Sequence, residues 1–227
     1  MLELSLAIDG PAASGKSVVG RGLAERLGIG FVDTGLIYRT CTLAVIREKI
    51  DPLDEQKIFE LVEKINMDMR WELLSSPEMF IDNENVTSEL RTSIVETNVS
   101  YISRIEKVRT NLVARQRDIA QREPVIMAGR DIGTRVLREA RTKFFLNAST
   151  ETRANRRLQE TISSGENTSY EEIFVSTQRR DHLDDSGHRA VRPEQASSDA
   201  IIVETDNLDV ESVIDLCVSI YRKTNQN

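Results

Sequence analysis

Histidine and cysteine are both scarce in this chain. Among 227 residues there are two histidines, His182 and His188, and two cysteines, Cys41 and Cys217. So sparse a set excludes a His-rich metal centre, and the cysteines lie too far apart for metal-ligand spacing. Both read as buried apolar side chains of a protein kept in a reducing compartment. No apolar run approaches the roughly 20 residues that a membrane span needs. Met1 to Ile8 is short, carries Glu3, and reads as a first strand rather than a secretory leader, so the expected location is the cytosol. Positive charge is not in excess either: the net charge is −7. That argues against a nucleic-acid coat or a membrane-surface binder, while leaving room for a small anion held by local positive charge. Internal repeats and low-complexity tracts are absent. The remaining composition, 39% hydrophobic and 30% charged, is that of an ordinary soluble globular protein, sized for one large domain or a core with one modest insertion.

What is present begins with Gly10-Pro11-Ala12-Ala13-Ser14-Gly15-Lys16-Ser17. It follows the apolar run Leu4 to Ile8 and leads into a helical pattern from Val18 to Leu27, with Gly28 as its C-cap. Strand, glycine-bounded turn and helix N-terminus in the spacing G-x-x-x-x-G-K-[ST] define a phosphate-binding loop. Gly10 and Gly15 permit close backbone approach. The loop N–H groups and the positive helix end hold phosphate oxygens, Lys16 reaches the β- and γ-phosphates, and the Ser17 hydroxyl can ligate Mg²⁺.

Four further apolar runs read as core strands: Ile29–Val32, Pro124–Met127, Lys143–Leu146 and Ala200–Val203. Helical patterns separate them, over Leu36–Lys49, over a stretch capped by Asp51 or Asp54, over Ile105–Arg122, over the Arg-rich Thr150–Ile162, over Tyr170 to about His182, and over Val210–Tyr221. Between residues 66 and 103 the pattern changes. Met67–Trp71 alternates, Glu78–Ile81 is a short strand, Asp82–Asn85 is a turn cluster, and Thr87–Ile102 returns to helical spacing. The expected architecture is therefore an α/β core over 1–65 and 104–227, with a five-stranded parallel sheet flanked by helices and a small inserted module over 66–103. In such sheets ligands bind beyond the carboxyl ends of the strands. Those ends carry the phosphate loop, Asp33-Thr34-Gly35, Gly129-Arg130-Asp131 and Asn147-Ala148-Ser149.

The arginines narrow the chemistry. Arg39 and Arg130 stand just after strand ends, and Arg180 lies near a polar stretch, Asp184 to Pro193, expected to be irregular. Transfer between two phosphorylated molecules needs positive charge on donor, acceptor and transferring group, and a guanidinium holds two phosphate oxygens at once.

Asp33-Thr34-Gly35-Leu36-Ile37-Tyr38-Arg39, Gly129-Arg130-Asp131-Ile132-Gly133-Thr134, Phe145-Leu146-Asn147-Ala148-Ser149 and Arg180-Asp181-His182-Leu183-Asp184, together with the loop, make the chain resemble the bacterial-type cytidylate kinases. These belong to the nucleoside monophosphate kinases. The resemblance implies a P-loop kinase fold with an inserted NMP-binding module and a short lid near 153–166. It implies a monomer that transfers the ATP γ-phosphoryl group to CMP or dCMP with Mg²⁺, without nucleic-acid or membrane partners. By this likeness Gly10 to Ser17 bind ATP, and Lys16, Arg130 and Arg180 serve catalysis. Thr34 and Arg39 meet the acceptor's sugar-phosphate end and Arg130 its phosphate. Ser100, Arg109 and Asp131 read the cytosine ring, and Arg180 and Asp184 hold the acceptor's ribose and phosphate. Arg153, Arg156 and Arg157 match the lid segment over ATP, with an exposed helix face as the other reading of Arg153 and Arg157.

Two departures stand out. Ala128 occupies a position where the family often has a carboxylate for the Mg²⁺ water shell, and Asp33, at the neighbouring strand end, is expected to replace it beside Ser17. The stretch from Asp184 to Arg189 is about two residues longer than usual, which weakens Arg189 as a phosphate ligand, and His188 reads as a solvated loop residue. Kinases acting on UMP, AMP or shikimate, and a non-catalytic nucleotide switch, are the competing readings. A switch has no need of a second arginine-lined anion site.

Overall fold

The computed structural model describes residues 1–70, 77–163, 165, 167–186 and 192–225. Its centre is a parallel sheet of β1 (Leu6–Asp9), β2 (Gly30–Asp33), β6 (Val125–Ala128), β7 (Thr142–Asn147) and β8 (Ile201–Glu204), in the order β2-β6-β1-β7-β8. Each central strand carries an apolar run, Leu6–Ile8 in β1, Val125–Ala128 in β6 and Phe144–Leu146 in β7, because both of its faces are covered. Side chains alternate between the two faces. Leu6, Ile8, Ile126, Phe144 and Leu146 point into a core shared with α1 (Lys16–Leu27) and α8 (Val210–Asn225). Ala7, Val32, Val125 and Met127 point into a second core, shared with α2 (Thr34–Arg47), α3 (Glu55–Lys64) and α5 (Glu106–Arg122). The five expected strands are all present, and the sheet is parallel throughout. No helix among the described residues is long and apolar enough to cross a membrane.

Residues 67–70 and 77–102 form a separate antiparallel sheet of β3 (Met67–Arg70), β4 (Glu78–Ile81) and β5 (Glu84–Asn85), followed by a 3₁₀ turn (Thr87–Arg91) and α4 (Ser93–Ile102). Asp82 and Asn83 take positive φ values of 49° and 69°, the paired left-handed turn that a two-residue hairpin requires. The segment is not sealed off from the rest. Met79, Ile81, Val86, Leu90, Val95, Val99 and Ile102 join the same continuous core as α2 and α5.

Two boundaries differ from the sequence reading, and one of the two caps it offered for α3 is the one formed. The helix expected over Thr87–Ile102 is interrupted at Thr92, whose extended backbone (φ −66°, ψ 149°) separates the 3₁₀ turn from α4 while its hydroxyl donates to the Glu89 carbonyl at 2.9 Å. The helix α7 (Tyr170–Ser186) runs past His182, so Asp184 is helical and buried rather than part of an irregular loop; its ion pair with Arg130 holds it there. Asp54, not Asp51, caps α3, accepting the Lys57 N–H at 3.1 Å. Trp71, His188 and Arg189 lie outside the described residues.

Helix α1 lies unusually close to β2. A methyl group placed on Gly20 would sit 2.2 Å from a ring carbon of buried Phe31. Gly20→Ala should gain about 1 kcal/mol of helix propensity and lose about 1–3 kcal/mol to overpacking, with the clash prevailing. Urea unfolding should show net destabilisation, partly recovered when Phe31→Leu is added. Stabilisation by Gly20→Ala alone would show that α1 packs less tightly than described.

Candidate active site

The phosphate loop is set by its backbone. Gly10 and Gly15 have φ of 146° and 95°, and Ala13 adopts the left-handed region at 58°. A Cβ on Gly10 would lie 2.3 Å from the Leu146 carbonyl oxygen, so the loop leaves β1 pressed against the end of β7. Lys16, at the first position of α1, donates to the Pro11 carbonyl at 2.5 Å and reaches the Ser14 hydroxyl at 3.4 Å. Burial and the neighbouring Arg130 push its ammonium well below its ordinary value, so the lysine is poised for an anion that would restore it. The Ser17 hydroxyl donates to Asp33 Oδ2 at 2.7 Å, while Asp33 Oδ1 caps α2 through the Gly35 N–H at 3.0 Å. Ser17 and Asp33, the two residues expected to serve a metal ion, are therefore hydrogen-bonded to each other.

On the other side of the loop, arginines come together from distant segments. Arg130 Nη1 donates to the Gly10 carbonyl at 2.5 Å and its Nε to Asp184 at 2.8 Å. Arg39 on α2 and Arg180 on α7 both turn to Glu96 on α4. Burial, opposed by Glu96 and reinforced by Arg130 and Arg39, lowers the Arg180 guanidinium to about 10. Arg109 is fully buried on α5; it donates to the Ser103 carbonyl at 3.0 Å and pairs closely with Asp131, with Ser100 buried nearby in sequence on α4. The Nε atoms of Arg109 and Arg180 are buried and have no hydrogen-bond partner among the described residues. Orphan donors of this kind are costly unless a ligand meets them.

Several residues expected to face ligand also make contacts within the protein. The Thr34 hydroxyl is buried and donates to the Ala128 carbonyl at 2.8 Å, pinning the ends of β2 and β6. Arg153, on α6 (Thr150–Ser163), is buried rather than exposed: it donates to the Ala148 and Ala12 carbonyls and to Thr150, and forms a two-pronged pair with Asp181 on α7. It braces the loop from beneath. Arg156 donates to the Thr205 carbonyl at 2.8 Å, and one of its guanidinium nitrogens comes to 4.0 Å from the Cβ position of Gly15. Arg157 turns toward Glu96.

Asp9, the last residue of β1, has no role that the sequence assigns, because it sits between an apolar run and a loop motif. Its two carboxylate oxygens accept the N–H groups of Ile132 and Gly133, each at 2.8 Å. These open the π-helical turn Ile132–Val136 that follows Arg130 and Asp131. One buried carboxylate thus fastens the donor loop to the Gly-Arg-Asp turn. Burial, only partly offset by those N–H groups, raises Asp9 from 3.8 to about 6. The native state therefore holds this proton across a window in which the unfolded chain releases it. The stability that Asp9 contributes is full below pH ~4 and falls as pH rises to about 6. Urea unfolding of wild type and Asp9→Asn from pH 3 to 8 should show wild type losing stability relative to the variant across that window, then no further change. A constant difference throughout would contradict the assignment.

Comparison with known proteins agrees with this geometry. The cytidylate kinase family profile matches residues 6–223. A cytidylate kinase of Mycobacterium leprae is 46% identical over 215 residues, covering 94% of this chain and 93% of its own length. One from Caldanaerobacter subterraneus subsp. tengcongensis is 42% identical over 222 residues, covering 98% and 96%. Among solved structures, an uncharacterized protein from Eubacterium ventriosum matches with a TM-score of 0.55 at 12% identity, over 97% of this chain and 99% of that chain. A gluconokinase from Sinorhizobium meliloti matches with a TM-score of 0.52 at 14% identity, over 98% and 94%. At these identities the structural likenesses speak to the fold alone. The sequence match, running through the loop, the Gly-Arg-Asp turn and α7 without a break in order, goes further: this chain belongs to the cytidylate kinase family.

Proposed function

We propose that the protein transfers the γ-phosphoryl group of ATP to the phosphate of CMP or dCMP, with the donor held by residues 10–17 and the acceptor by the arginine side of the cleft. The observation that carries this reading is the position of Arg130. Its guanidinium touches the Gly10 carbonyl of the loop and Asp184 of α7, and so stands between a triphosphate on the loop and an anion held by Arg39 and Arg180. A loose phosphoryl-transfer transition state is served by alignment and charge neutralisation. Lys16, Arg130 and Arg180 provide that charge, and no side chain is required as a general base. Arg39, Arg180 and Asp184 position the acceptor's sugar-phosphate end. Thr34 acts at one remove, by fixing the strand ends. Arg109, Asp131 and Ser100 face the base: cytosine offers an N4 amino donor beside N3 and O2 acceptors, which a carboxylate, a guanidinium and a hydroxyl complement. Residues 66–103 supply Ser100 and Glu96 and serve as the NMP-binding module. Arg156 and Arg157 act as the ATP-side lid, and Arg153 as the brace beneath it.

The hydroxyl of Ser17 beside the Asp33 carboxylate is a hard-oxygen pair that suits Mg²⁺. Among the described residues no cluster of three or more His, Cys, Asp or Glu side chains could cage a metal alone. Ser17 and Asp33 would hold the ion together with water and nucleotide oxygens. When bound, Mg²⁺ neutralises charge on the β- and γ-phosphates. Asp33 Oδ1 remains the α2 cap, which orients Oδ2 toward Ser17.

Coupled ADP-release assays with CMP, dCMP, UMP and AMP test the acceptor, and CMP or dCMP should be preferred. Arg130→Ala should lower kcat by about 100-fold or more, as loss of a transition-state cation does; turnover within a few-fold of wild type would refute the scheme. Asp33→Asn keeps an oxygen for the cap and should raise the Mg²⁺ concentration needed for half-maximal rate by about tenfold. An unchanged Mg²⁺ requirement would remove Asp33 from the metal site.

A further inference from the structure

Glu96 belongs to none of the sequence motifs, yet four helices converge on it. It projects from α4 and its side chain is 21% exposed. One carboxylate oxygen accepts Arg39 Nε at 3.1 Å and Nη2 at 2.5 Å; the other accepts Arg180 Nη1 at 2.9 Å and lies 3.9 Å from Arg157 Nη2. Other buried arginines of the cleft have carboxylates of their own: Arg109 has Asp131, Arg130 has Asp184 and Arg153 has Asp181. Arg39, Arg157 and Arg180 share Glu96. Burial alone would raise this carboxyl, but Arg39 and Arg180 prevail and hold it down at about 2, so the group is an anion under all working conditions.

The geometry of the pairing matters more than its count. The Nε–Nη2 edge of Arg39 is the edge with which a guanidinium grips a phosphate through two parallel N–H bonds. Here that edge is closed on a single carboxylate oxygen. On the other guanidinium, Arg180 Nη1 is engaged while its Nε remains a buried orphan. A phosphate dianion placed between these two arginines would complete the Nε bond, and it would compete with Glu96 for the Arg39 edge.

We infer that Glu96 is a specificity-determining residue of the acceptor site: in the nucleotide-free enzyme its carboxylate occupies the anion position that Arg39 and Arg180 offer. The inference rests on the reading of those two arginines as acceptor-phosphate ligands. A bare anion brings charge alone and has to displace an anion already bonded to both guanidiniums. A nucleoside monophosphate adds the binding energy of its sugar and base, and so makes the exchange. Glu96 thereby keeps an arginine cluster next to the ATP loop from being filled by free phosphate, and holds mutually repelling cations together until the substrate arrives.

The test is steady-state kinetics of wild type, Glu96→Gln and Glu96→Asp with CMP as varied substrate and inorganic phosphate as competitor. Neutralising a carboxylate in direct contact with the anion site should lower the competitive Ki of phosphate about tenfold and lower KM for CMP about threefold in Glu96→Gln, a change carried by KM rather than kcat. Glu96→Asp keeps the charge and should stay near wild type in its phosphate Ki. Addition of inorganic phosphate should also raise the melting temperature of Glu96→Gln more than that of wild type. A higher KM for CMP in Glu96→Gln, or an unchanged phosphate Ki, would overturn the inference. Arg39→Ala and Arg180→Ala in the Glu96 background separate the two levels. If these leave KM for CMP unchanged, the acceptor-site reading itself fails; if they raise it while Glu96→Gln has no effect, only the role of Glu96 fails.

Discussion

Like charges crowded into one cleft repel, and this cleft gathers Lys16, Arg39, Arg130, Arg157 and Arg180 from a chain whose net charge is −7. Everything around them answers that repulsion. Asp184 is carried into the interior on α7 to face Arg130, Glu96 is presented by α4 to three arginines, and the Pro11 and Gly10 carbonyls accept from Lys16 and Arg130. The compensation is incomplete by design of position: Lys16 remains depressed and two guanidinium Nε atoms remain unmet. A site balanced to neutrality would have no remaining attraction for a polyanion, whereas one left uncompensated would splay apart.

The sheet makes that crowding possible. Alternation along β1 and β6 sends successive side chains into two separate cores, which fixes these strands from both faces and leaves their carboxyl ends to carry polar groups. There the hydrogen bonds run between strand ends rather than along them. Thr34 reaches the Ala128 carbonyl, Asp9 reaches the turn after Asp131, and Asp33 reaches Ser17. These short links hold the loops of neighbouring strands at set spacings, and loop spacing is what aligns donor and acceptor.

Local chemistry is legible in sequence, and chemistry assembled across the chain is not. The loop at 10–17 spells its own geometry, because glycine, lysine and serine act within one turn. The five strands follow from apolar runs bounded by turn residues. Arg153 was open to an exposed reading because periodicity shows a helix face but not what covers it; α7 does, through Asp181. The end of α7 ran past its expected limit because a buried ion pair outweighed the poor helix propensity of its aspartates. Glu96 gave no signal, since its partners stand on α2, α6 and α7 and only folding brings them to one carboxylate.

The strand order has a consequence for how the chain comes into being. The phosphate loop precedes the other four strands of the sheet, but β1 is an interior strand whose neighbours are β6 and β7: Ile8 pairs with Ala128 on one side and Phe144 on the other. During synthesis β1 therefore waits, unpaired on both edges, until β6 at Val125–Ala128 has been made. Such distant pairing is slow and leaves apolar edges uncovered in the interval. The loop motif thus lies far along the chain from the two strands that hold its own strand in the sheet.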